Sequence, residues 1–285
     1  MSDVGVVIVT WNSASTIADC LASLPPEMTV VVVDNASGDD TVRRVRKTRP
    51  QTTIIESERN RGFGSACNLG AASLPGLDLL LLNPDATIEA SAIQHLRQQL
   101  EEAPSLGAMG PAIADASGTL ELSWGSDPSL KNEWDRKQAH SKQGTRHQEP
   151  MKVDWVTGGC CLIRRDAWEE VGGFDEHYFL YFEDLDLCRR IRRAGYEVRY
   201  DPRISALHLR GVSAGKLGHE VEFHYRHSQI YYYQKYASPR EILGLRLYLM
   251  LKFMRKSLQQ PEGRETYKAI VTMAFKGSST GGVHG

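Results

Sequence analysis

Four apolar runs rich in β-branched residues constrain the fold of this chain more than any other feature. The runs VGVVIVT, TVVVVD, TTIIES and LDLLLLN occupy residues 4–10, 29–34, 52–57 and 77–83. Segments with helical periodicity separate the runs, and a further helical segment follows the last one. Continuous apolar strands that alternate with helices are typical of a mostly parallel sheet covered by helices on both faces. The sequence therefore predicts an α/β fold.

Polar residues follow three of these runs at the points where the predicted strands end. Ligands of such sheets bind outside the carboxyl ends of the strands. Two acids at the ends of separate strands therefore predict a pocket for a nucleotide and a metal. The residues at these ends are Thr10, Trp11, Asn12, Asp34, Asn35, Asn83 and Asp85.

The residues after the first run exclude two familiar ways of binding phosphate. The segment WNSAS replaces the G-x-G-x-x-G of dinucleotide-binding folds, and no G-x-x-x-x-G-K-[ST] loop occurs in the chain. A divalent ion is then the natural phosphate ligand, and the carboxylate of Asp85 suits Mg²⁺ or Mn²⁺. Asn-Pro-Asp at 83–85 can alternatively form only a turn that caps the next helix.

Composition narrows the class of protein and its compartment. The formal net charge of −1 over 285 residues argues against a nucleic-acid binder that works by bulk charge. The five cysteines are odd in number and include no C-x-x-C pair, which favours reduced thiols in a cytoplasmic protein. The N-terminus lacks the pattern of a signal peptide, and no run approaches the ~20 apolar residues that span a bilayer. We expect a protein that is soluble or at most peripheral to the inner face of the plasma membrane.

The remaining chain predicts a second half of the catalytic domain and a helical extension. A strand is predicted at 118–124, a mobile loop or lid at 125–150, and short strands at 196–201 and 204–209. The domain is expected to cover residues 1–237, the helical extension 238–276 and a disordered tail 277–285.

The helical extension is basic. From residue 240 onward, the chain has eight lysines and arginines and three acids, a local excess of five positive charges. The segment PREILGLRLYLMLKFMRKSL is amphipathic, with bases beside its apolar stripe. Such a helix can lie on an anionic membrane, or it can pack on the catalytic domain or on a second subunit of a homodimer.

The stretch YFEDLDLCRR places three carboxylates within four positions, at Glu183, Asp184 and Asp186. Acids are common in the first turn of a helix, where they complement its dipole. Alternatively, one of them abstracts a proton from a substrate. Asp186 can also pair with Arg189 or Arg190 at i+3 or i+4.

Six segments in order resemble family 2 glycosyltransferases of the GT-A fold, particularly the bacterial rhamnosyltransferase-like branch. The resemblance covers roughly residues 4–235. It implies inverting transfer of a sugar from a nucleotide donor to a glycan or a polyprenyl-diphosphate-linked glycan in cell-surface polysaccharide synthesis. The donor that it favours is dTDP-L-rhamnose, and UDP- and GDP-sugars stay open. The segments are VVIVTWNSASTIADCLASL, VVVVDNASGDDT, NRGFGSACNLG, LLLLNPDA, VTGGCCLIRRDAWEEVGGFDE and FEDLDLCRRIRRAGYEV.

The resemblance also implies roles for residues on the donor side. Asp34 would bind the pyrimidine ring, and Asp85 would be the metal carboxylate of a D-x-D motif whose first position is Asn83 here. His208 would complete the metal shell, although a lone histidine is often structural, and Arg210 would bind the diphosphate. The remaining donor-side residues are Thr10, Trp11, Asn12, Asn35, Asn60, Gly62 and Phe63.

On the acceptor side, the resemblance implies that Asp184 is the general base and that Glu183 orients or binds the acceptor. Thr157, Gly158 and Gly159 would leave room for the acceptor sugar. We therefore expect Asp85 and Asp184 to face one shared cavity. Two other functions are alternatives. A nucleotidyltransferase would need a basic glycine-rich loop, which WNSASTIAD lacks. The other alternative is a non-catalytic sugar-nucleotide-binding or membrane-docking subunit.

Overall fold

The computed structural model describes residues 4–130, 149–208 and 218–277. Its first part alternates strands and helices, as the four apolar runs predict. The strands are β1 (Val4–Thr10), β2 (Thr29–Asp34), β3 (Thr53–Glu56), β4 (Asp78–Leu82), β5 (Ala86–Ile88) and β6 (Leu106–Ala114). The helices are α1 (Ile17–Ser23), α2 (Thr41–Thr48), α3 (Phe63–Ala72) and α4 (Ala90–Glu102).

The second part begins with short strands and ends with three helices. The strands are β7 (Trp124–Gly125), β8 (Met151–Lys152), β9 (Trp155–Val156), β10 (Cys160–Ile163) and β11 (Glu197–His208). The helices are α5 (Arg165–Val171), α6 (Glu183–Arg193), α7 (Gly218–Tyr236), α8 (Pro239–Gln259) and α9 (Arg264–Lys276), with a 3₁₀ turn at Pro261–Gly263 before α9.

The main sheet has the strand order β3-β2-β1-β4-β10-β6-β11-β5, with β8 also paired to β11. Strands β1 to β4 are parallel, which confirms the mostly parallel sheet. Strand β10 runs antiparallel between β4 and β6, with Cys160 opposite Leu82 and Leu162 opposite Leu80. This antiparallel insertion places the start of β10 beside the end of β4.

Two sequence expectations about strands are wrong. Residues 118–124 form no continuous strand; Leu120 makes an isolated bridge to Ala114, and β7 begins only at Trp124. The two short strands expected at 196–201 and 204–209 are one strand, β11, with an irregularity between Asp201 and Ser205. The Arg203 guanidinium donates to Asp201 Oδ2 at 2.8 Å within this irregularity, and the pairing with β6 resumes at Ser205.

Alternate residues of the central strands enter two hydrophobic clusters, one on each face of the sheet. Val7 and Leu81 belong to the cluster that α3, α5 and α6 cover, and Ile8 and Leu80 belong to the cluster under α1, α2 and α4. This period of two is the pleat of a β-strand, and it explains why the runs are apolar at every position. Helices therefore cover both faces, as expected.

The C-terminal helices continue the first of these clusters. Leu249 and Phe253 of α8 and Ile270 of α9 are fully buried in it. Polar contacts join α7 to α6: the buried Asp186 accepts from Lys235 Nζ at 2.6 Å and from Tyr236 Oη at 2.7 Å. The predicted i,i+4 pair of Asp186 with Arg190 is confirmed at 2.7 Å. The division of the chain at residue 237 stays a prediction.

The loop predicted at 125–150 falls mainly on residues 131–148, which lie outside the described residues, as do 278–285 of the predicted tail. At its described start, Asp127 accepts from Arg192 Nη2 at 2.7 Å, so this end is tied to α6. No described helix combines the length and apolar character needed to cross a membrane.

We predict that Leu249→Ala lowers the free energy of unfolding by about 2–5 kcal/mol, because it removes a fully buried side chain and leaves a cavity. The matched control is Leu251→Ala on the same helix, where the leucine is 65% exposed. Its effect should stay within about 0.5 kcal/mol. Urea unfolding midpoints measure both, and equal effects of the two substitutions would contradict the described packing of α8.

Candidate functional site

The end of β4 and the start of β10 meet at the carboxyl edge of the sheet. The backbone N–H of Asn83 donates to the Gly159 carbonyl at 2.8 Å. Asp184, in the first turn of α6, lies beside the same segment, because the Gly158 N–H donates to its Oδ2 at 3.3 Å. A Cβ added at Gly159 would lie 3.2 Å from Asn83 Nδ2. The structure thus brings Asn83, the Thr157–Gly159 segment and Asp184 together.

A histidine bridges two carboxylates at the outer edge of this region. His208 Nε2 lies 3.0 Å from Asp85 Oδ1, and its Nδ1 lies 2.9 Å from Glu121 Oε2. The pKa of His208 is raised above its ordinary value, mainly by the hydrogen bond to Asp85, whereas burial acts to lower this pKa. All three side chains are largely buried. Sequence analysis did not identify Glu121 as a site residue, because no neighbouring motif indicates its contact with a histidine far along the chain.

Asp85 and His208 fit the predicted divalent ion as a partial ligand set. Their facing atoms are a carboxylate oxygen and an imidazole nitrogen, and Glu121 on the other ring nitrogen can fix the imidazole tautomer and orientation. Mg²⁺ and Mn²⁺ sites commonly use one or two protein ligands together with substrate phosphates. Among the residues described, no cluster of three or more potential ligands forms a complete metal cage.

Asp34, at the end of β2, is held by the neighbouring strand β1 and by the loop that follows β2. Its Oδ1 accepts from Thr10 Oγ1 at 2.8 Å and from Ser37 Oγ at 2.6 Å, and its Oδ2 accepts from the Ser37 N–H at 2.9 Å. Thr10 is fully buried and Asp34 nearly so. Thr10 therefore orients Asp34, and the pyrimidine-binding role of Asp34 stays a prediction.

Asn35 connects the loop after β2 to the loop after β3, and Asn60 bonds within the second of these loops. Asn35 Nδ2 donates to the Gly62 carbonyl at 3.1 Å, and its Oδ1 accepts from the Arg61 N–H at 3.2 Å. Asn60 Oδ1 accepts from the Gly62 N–H at 2.9 Å. Their contacts in this structure are with backbone, so both shape the loop that leads into α3.

The other predicted donor residues lie along the same edge. Trp11 is half-buried, and Asn12 is exposed with a positive φ of 51° and an Oδ1 that accepts from the Gly38 N–H at 2.8 Å. The Phe63 ring reaches Gly158, since a Cβ there would lie 2.8 Å from Phe63 Cε1. Phe63 therefore links the donor side to the acceptor segment.

The two acids that begin α6 have different surroundings, as adjacent helical positions should. Asp184 is half-buried; burial raises its pKa above the ordinary value, although N–H donors from Gly158 and Leu185 oppose this. Glu183 is only 5% exposed, and its Oε2 has no hydrogen-bond partner among the described residues. Burial and then the charge of Asp184 raise the pKa of Glu183 well above its ordinary range. Burial and then the charge of Glu183 raise the pKa of the Cys67 thiol of α3 well above its ordinary value.

A strained segment positions this pair. Tyr181 and Phe182 have φ values of 66° and 68°, a backbone region that non-glycine residues rarely occupy. The Phe182 ring is buried 5.3 Å from the Tyr225 ring, and Ser228 Oγ donates to the Leu180 carbonyl at 2.8 Å. Helix α7 therefore holds the strained turn from which Asp184 projects. Sequence analysis missed these contacts, because they join distant segments.

Two features predicted from the sequence, Arg210 and a shared cavity, are not located in this region. Arg210 lies outside the described residues. Two clefts of about 520 and 240 Å³ lie elsewhere, and neither is lined by Asp85 or Asp184. The cavity expected between these two acids therefore stays a prediction.

We predict that Gly62→Ala is more destabilising than Gly76→Ala. Both glycines have positive φ, which costs an alanine about 1–2 kcal/mol, but only at Gly62 would a Cβ lie 2.3 Å from the Phe179 carbonyl oxygen. That carbonyl also accepts the Phe63 N–H, so the clash should add about 1–3 kcal/mol and loosen the turn before Asp184. Thermal and urea unfolding measure the difference, and equal losses would contradict the contact.

We predict that Glu183→Gln changes the pH dependence of stability. The raised pKa means that the folded state holds the proton more tightly than the unfolded chain, so this stability is present at low pH and is lost as pH rises through the folded-state pKa. Above the ordinary titration range of glutamate, the free energy of unfolding of the wild type should fall relative to that of the variant by up to ~1.4 kcal/mol per pH unit. Urea titrations at several pH values test this. Glu102→Gln, at an exposed position of α4, is the control, and parallel wild-type and Glu183→Gln profiles would contradict the prediction.

Comparison with known proteins shows which family the sequence matches. Residues 5–172 match the description Glycosyl transferase family 2, and residues 130–259 match Glycosyl transferase family group 2. The chain is 30% identical over 306 residues to an N-acetylglucosaminyl-diphospho-decaprenol L-rhamnosyltransferase of Mycobacterium tuberculosis, covering 93% of this chain and 100% of that one.

Solved structures show the same fold. A mannosyltransferase from Pyrobaculum calidifontis in complex with GDP-Man and Mn²⁺ has a TM-score of 0.57 at 20% identity, over 97% of this chain and 76% of that one. S. aureus TarS in complex with UDP has a TM-score of 0.58 at 15% identity, over 97% and 92%. The GT-A-like fold expected from the sequence is confirmed. The chain belongs to glycosyl transferase family 2 and is a glycosyltransferase.

Proposed function

We propose that this enzyme is an inverting, metal-dependent glycosyltransferase that transfers L-rhamnose from dTDP-L-rhamnose to a hydroxyl of a polyprenyl-diphosphate-linked glycan. The observation that carries the proposal is the position of Asp184, a carboxylate of raised pKa beside Gly158 at the β4–β10 edge. The similarity to an L-rhamnosyltransferase whose name specifies a decaprenol diphosphate acceptor supports the choice of sugar and acceptor.

In the proposed reaction, the acceptor hydroxyl oxygen attacks the anomeric carbon from the face opposite the diphosphate. Asp184 takes the hydroxyl proton as the new carbon–oxygen bond forms. The old bond breaks, and its electron pair leaves on the nucleoside diphosphate. A carboxylate whose pKa lies above the ordinary aspartate value is a stronger base than an exposed aspartate.

On the donor side, Asp34 would accept from a pyrimidine N–H, with its orientation set by Thr10 and Ser37. Asp85 and His208 would hold Mg²⁺ or Mn²⁺, which when bound would supply Lewis-acid stabilisation of the leaving diphosphate. Glu121 would keep the imidazole of His208 turned toward Asp85.

Glu183 would support Asp184 from behind the site. Because it is buried and its pKa is raised well above the ordinary value, its neutral form is favoured, which would lessen the negative charge beside Asp184. The place proposed for this chemistry is the cytoplasm at the inner face of the plasma membrane, where a water-soluble donor and a lipid-linked acceptor can meet.

We predict that Asp184→Asn lowers kcat by about 10²–10⁴-fold and leaves donor binding intact, because a general base contributes roughly this factor. Release of dTDP from dTDP-L-rhamnose, with a polyprenyl-diphosphate-linked acceptor and Mn²⁺, measures turnover. Thermal stabilisation by the donor measures binding. Removal of the metal with a chelator should also stop turnover.

The control is Asp166→Asn, which changes an exposed aspartate on α5 outside the site and should keep wild-type kcat. Full turnover by Asp184→Asn would exclude Asp184 as the base. Donor binding by the wild type without turnover of dTDP-, UDP- or GDP-sugars would instead favour the non-catalytic subunit.

A further inference from the structure

Helix α8 carries a row of large apolar side chains on its outer surface. The intervals between them are four, four, three and four residues, so they fall within an arc of about 80° on the helix. Each is between 50% and 81% exposed. We call this set the outer stripe; it consists of Leu243, Leu247, Leu251, Met254 and Leu258.

The outer stripe is a second apolar face, separate from the one that packs on the protein. Leu245, Leu249 and Phe253 lie on the opposite side of the helix and are almost fully buried. The packing of this buried face on the protein therefore does not cover the outer stripe. A contiguous exposed apolar surface of this kind marks an interaction site on a soluble domain.

The end of α9 extends the same surface. The Arg246 guanidinium donates to the carbonyls of Ala274 and Phe275, which fixes the last turn of α9 beside the first turns of α8. Phe275 is 70% exposed. The apolar surface is therefore built from two helices that are tied to each other.

Basic residues accompany the stripe. Arg240 precedes it on the same side of α8, Arg255 borders it, and Lys276 follows Phe275; all three are exposed. Of the three acids in the extension, Glu241 caps α8, Glu265 pairs with Lys268 at 2.8 Å, and Glu262 is exposed. Because eight lysines and arginines outnumber these three acids, the extension that carries the stripe has a net positive charge.

We propose that the outer stripe docks on an anionic lipid bilayer, with the axis of α8 parallel to the membrane. The stripe extends for about 22 Å at 1.5 Å per residue, which suits a helix that lies in the interface. Lipid headgroups complement the arginines beside the stripe, whereas two copies of this face packed together would oppose like charges. The inference goes beyond the proposed reaction and does not depend on it.

Vesicle cosedimentation of the full chain tests the docking. We expect binding to phosphatidylcholine vesicles that contain phosphatidylglycerol, and weaker binding without the anionic lipid or at high salt. Leu247→Ser with Leu251→Ser should weaken binding about tenfold or more, since two exposed leucines no longer enter the apolar layer. Arg240→Gln with Arg255→Gln should weaken binding to anionic vesicles only.

Two controls separate docking from other effects. Leu207→Ser changes a leucine that is 39% exposed on β11, away from the extension, and should bind vesicles like the wild type. Asp184→Asn should also bind fully, so failure of the catalytic proposal stays distinguishable from failure of docking. Absence of vesicle binding, or equal binding by Leu247→Ser/Leu251→Ser, would overturn the proposal. A lipid-free dimer that these substitutions break would assign the stripe to a second copy instead.

Discussion

The antiparallel pairing of β10 with β4 is the contact on which the candidate site depends. The hydrogen bond from the Asn83 N–H to the Gly159 carbonyl, at 2.8 Å, continues that pairing past the end of the strands. It places the segment that carries the predicted metal carboxylate beside the segment that contacts Asp184. Close approach there needs glycine, because a Cβ at Gly158 would lie 2.8 Å from the Phe63 ring. Backbone pairing thus brings the predicted donor-side and acceptor-side segments together at one edge of the sheet.

The three acids at the start of α6 illustrate how burial and partners separate residues of similar chemistry. Asp186 is fully buried but surrounded by Arg190, Lys235 and Tyr236, so its charge is neutralised and it joins helices. Glu183 is buried without such partners, which favours its neutral form. Asp184 lies between these extremes, half-buried and held by backbone N–H groups. Only Asp184 combines partial access with a raised pKa, the combination that a general base requires.

Sequence periodicity predicted the parallel half of the sheet, because β-branched runs and helix signals are local properties. It did not predict that β10 is antiparallel, that β11 is one strand, or that Glu121 contacts His208, since each depends on pairing between distant segments. The Asp186–Arg190 pair was predictable from i,i+4 spacing, whereas the contacts of Asp186 with α7 were not. The positions of strand ends predict several donor-side residues and the family resemblance implies their roles and the acceptor-side residues, whereas the contacts between them depend on the tertiary structure.

Helix α8 connects the site to the surface through its two faces. Its inner side chains Leu249 and Phe253 share one buried cluster with Tyr232 of α7, and the Phe182 ring lies 5.5 Å from the Tyr232 ring. Because Phe182 has a strained backbone immediately before the predicted catalytic pair, we expect the packing of α8 on α7 to help hold Asp184 in place. The outer stripe takes no part in this packing. Substitutions on the two faces should therefore have different effects. Those on the inner face should affect folding and the site, and those on the outer face should affect only what the helix contacts outside the protein.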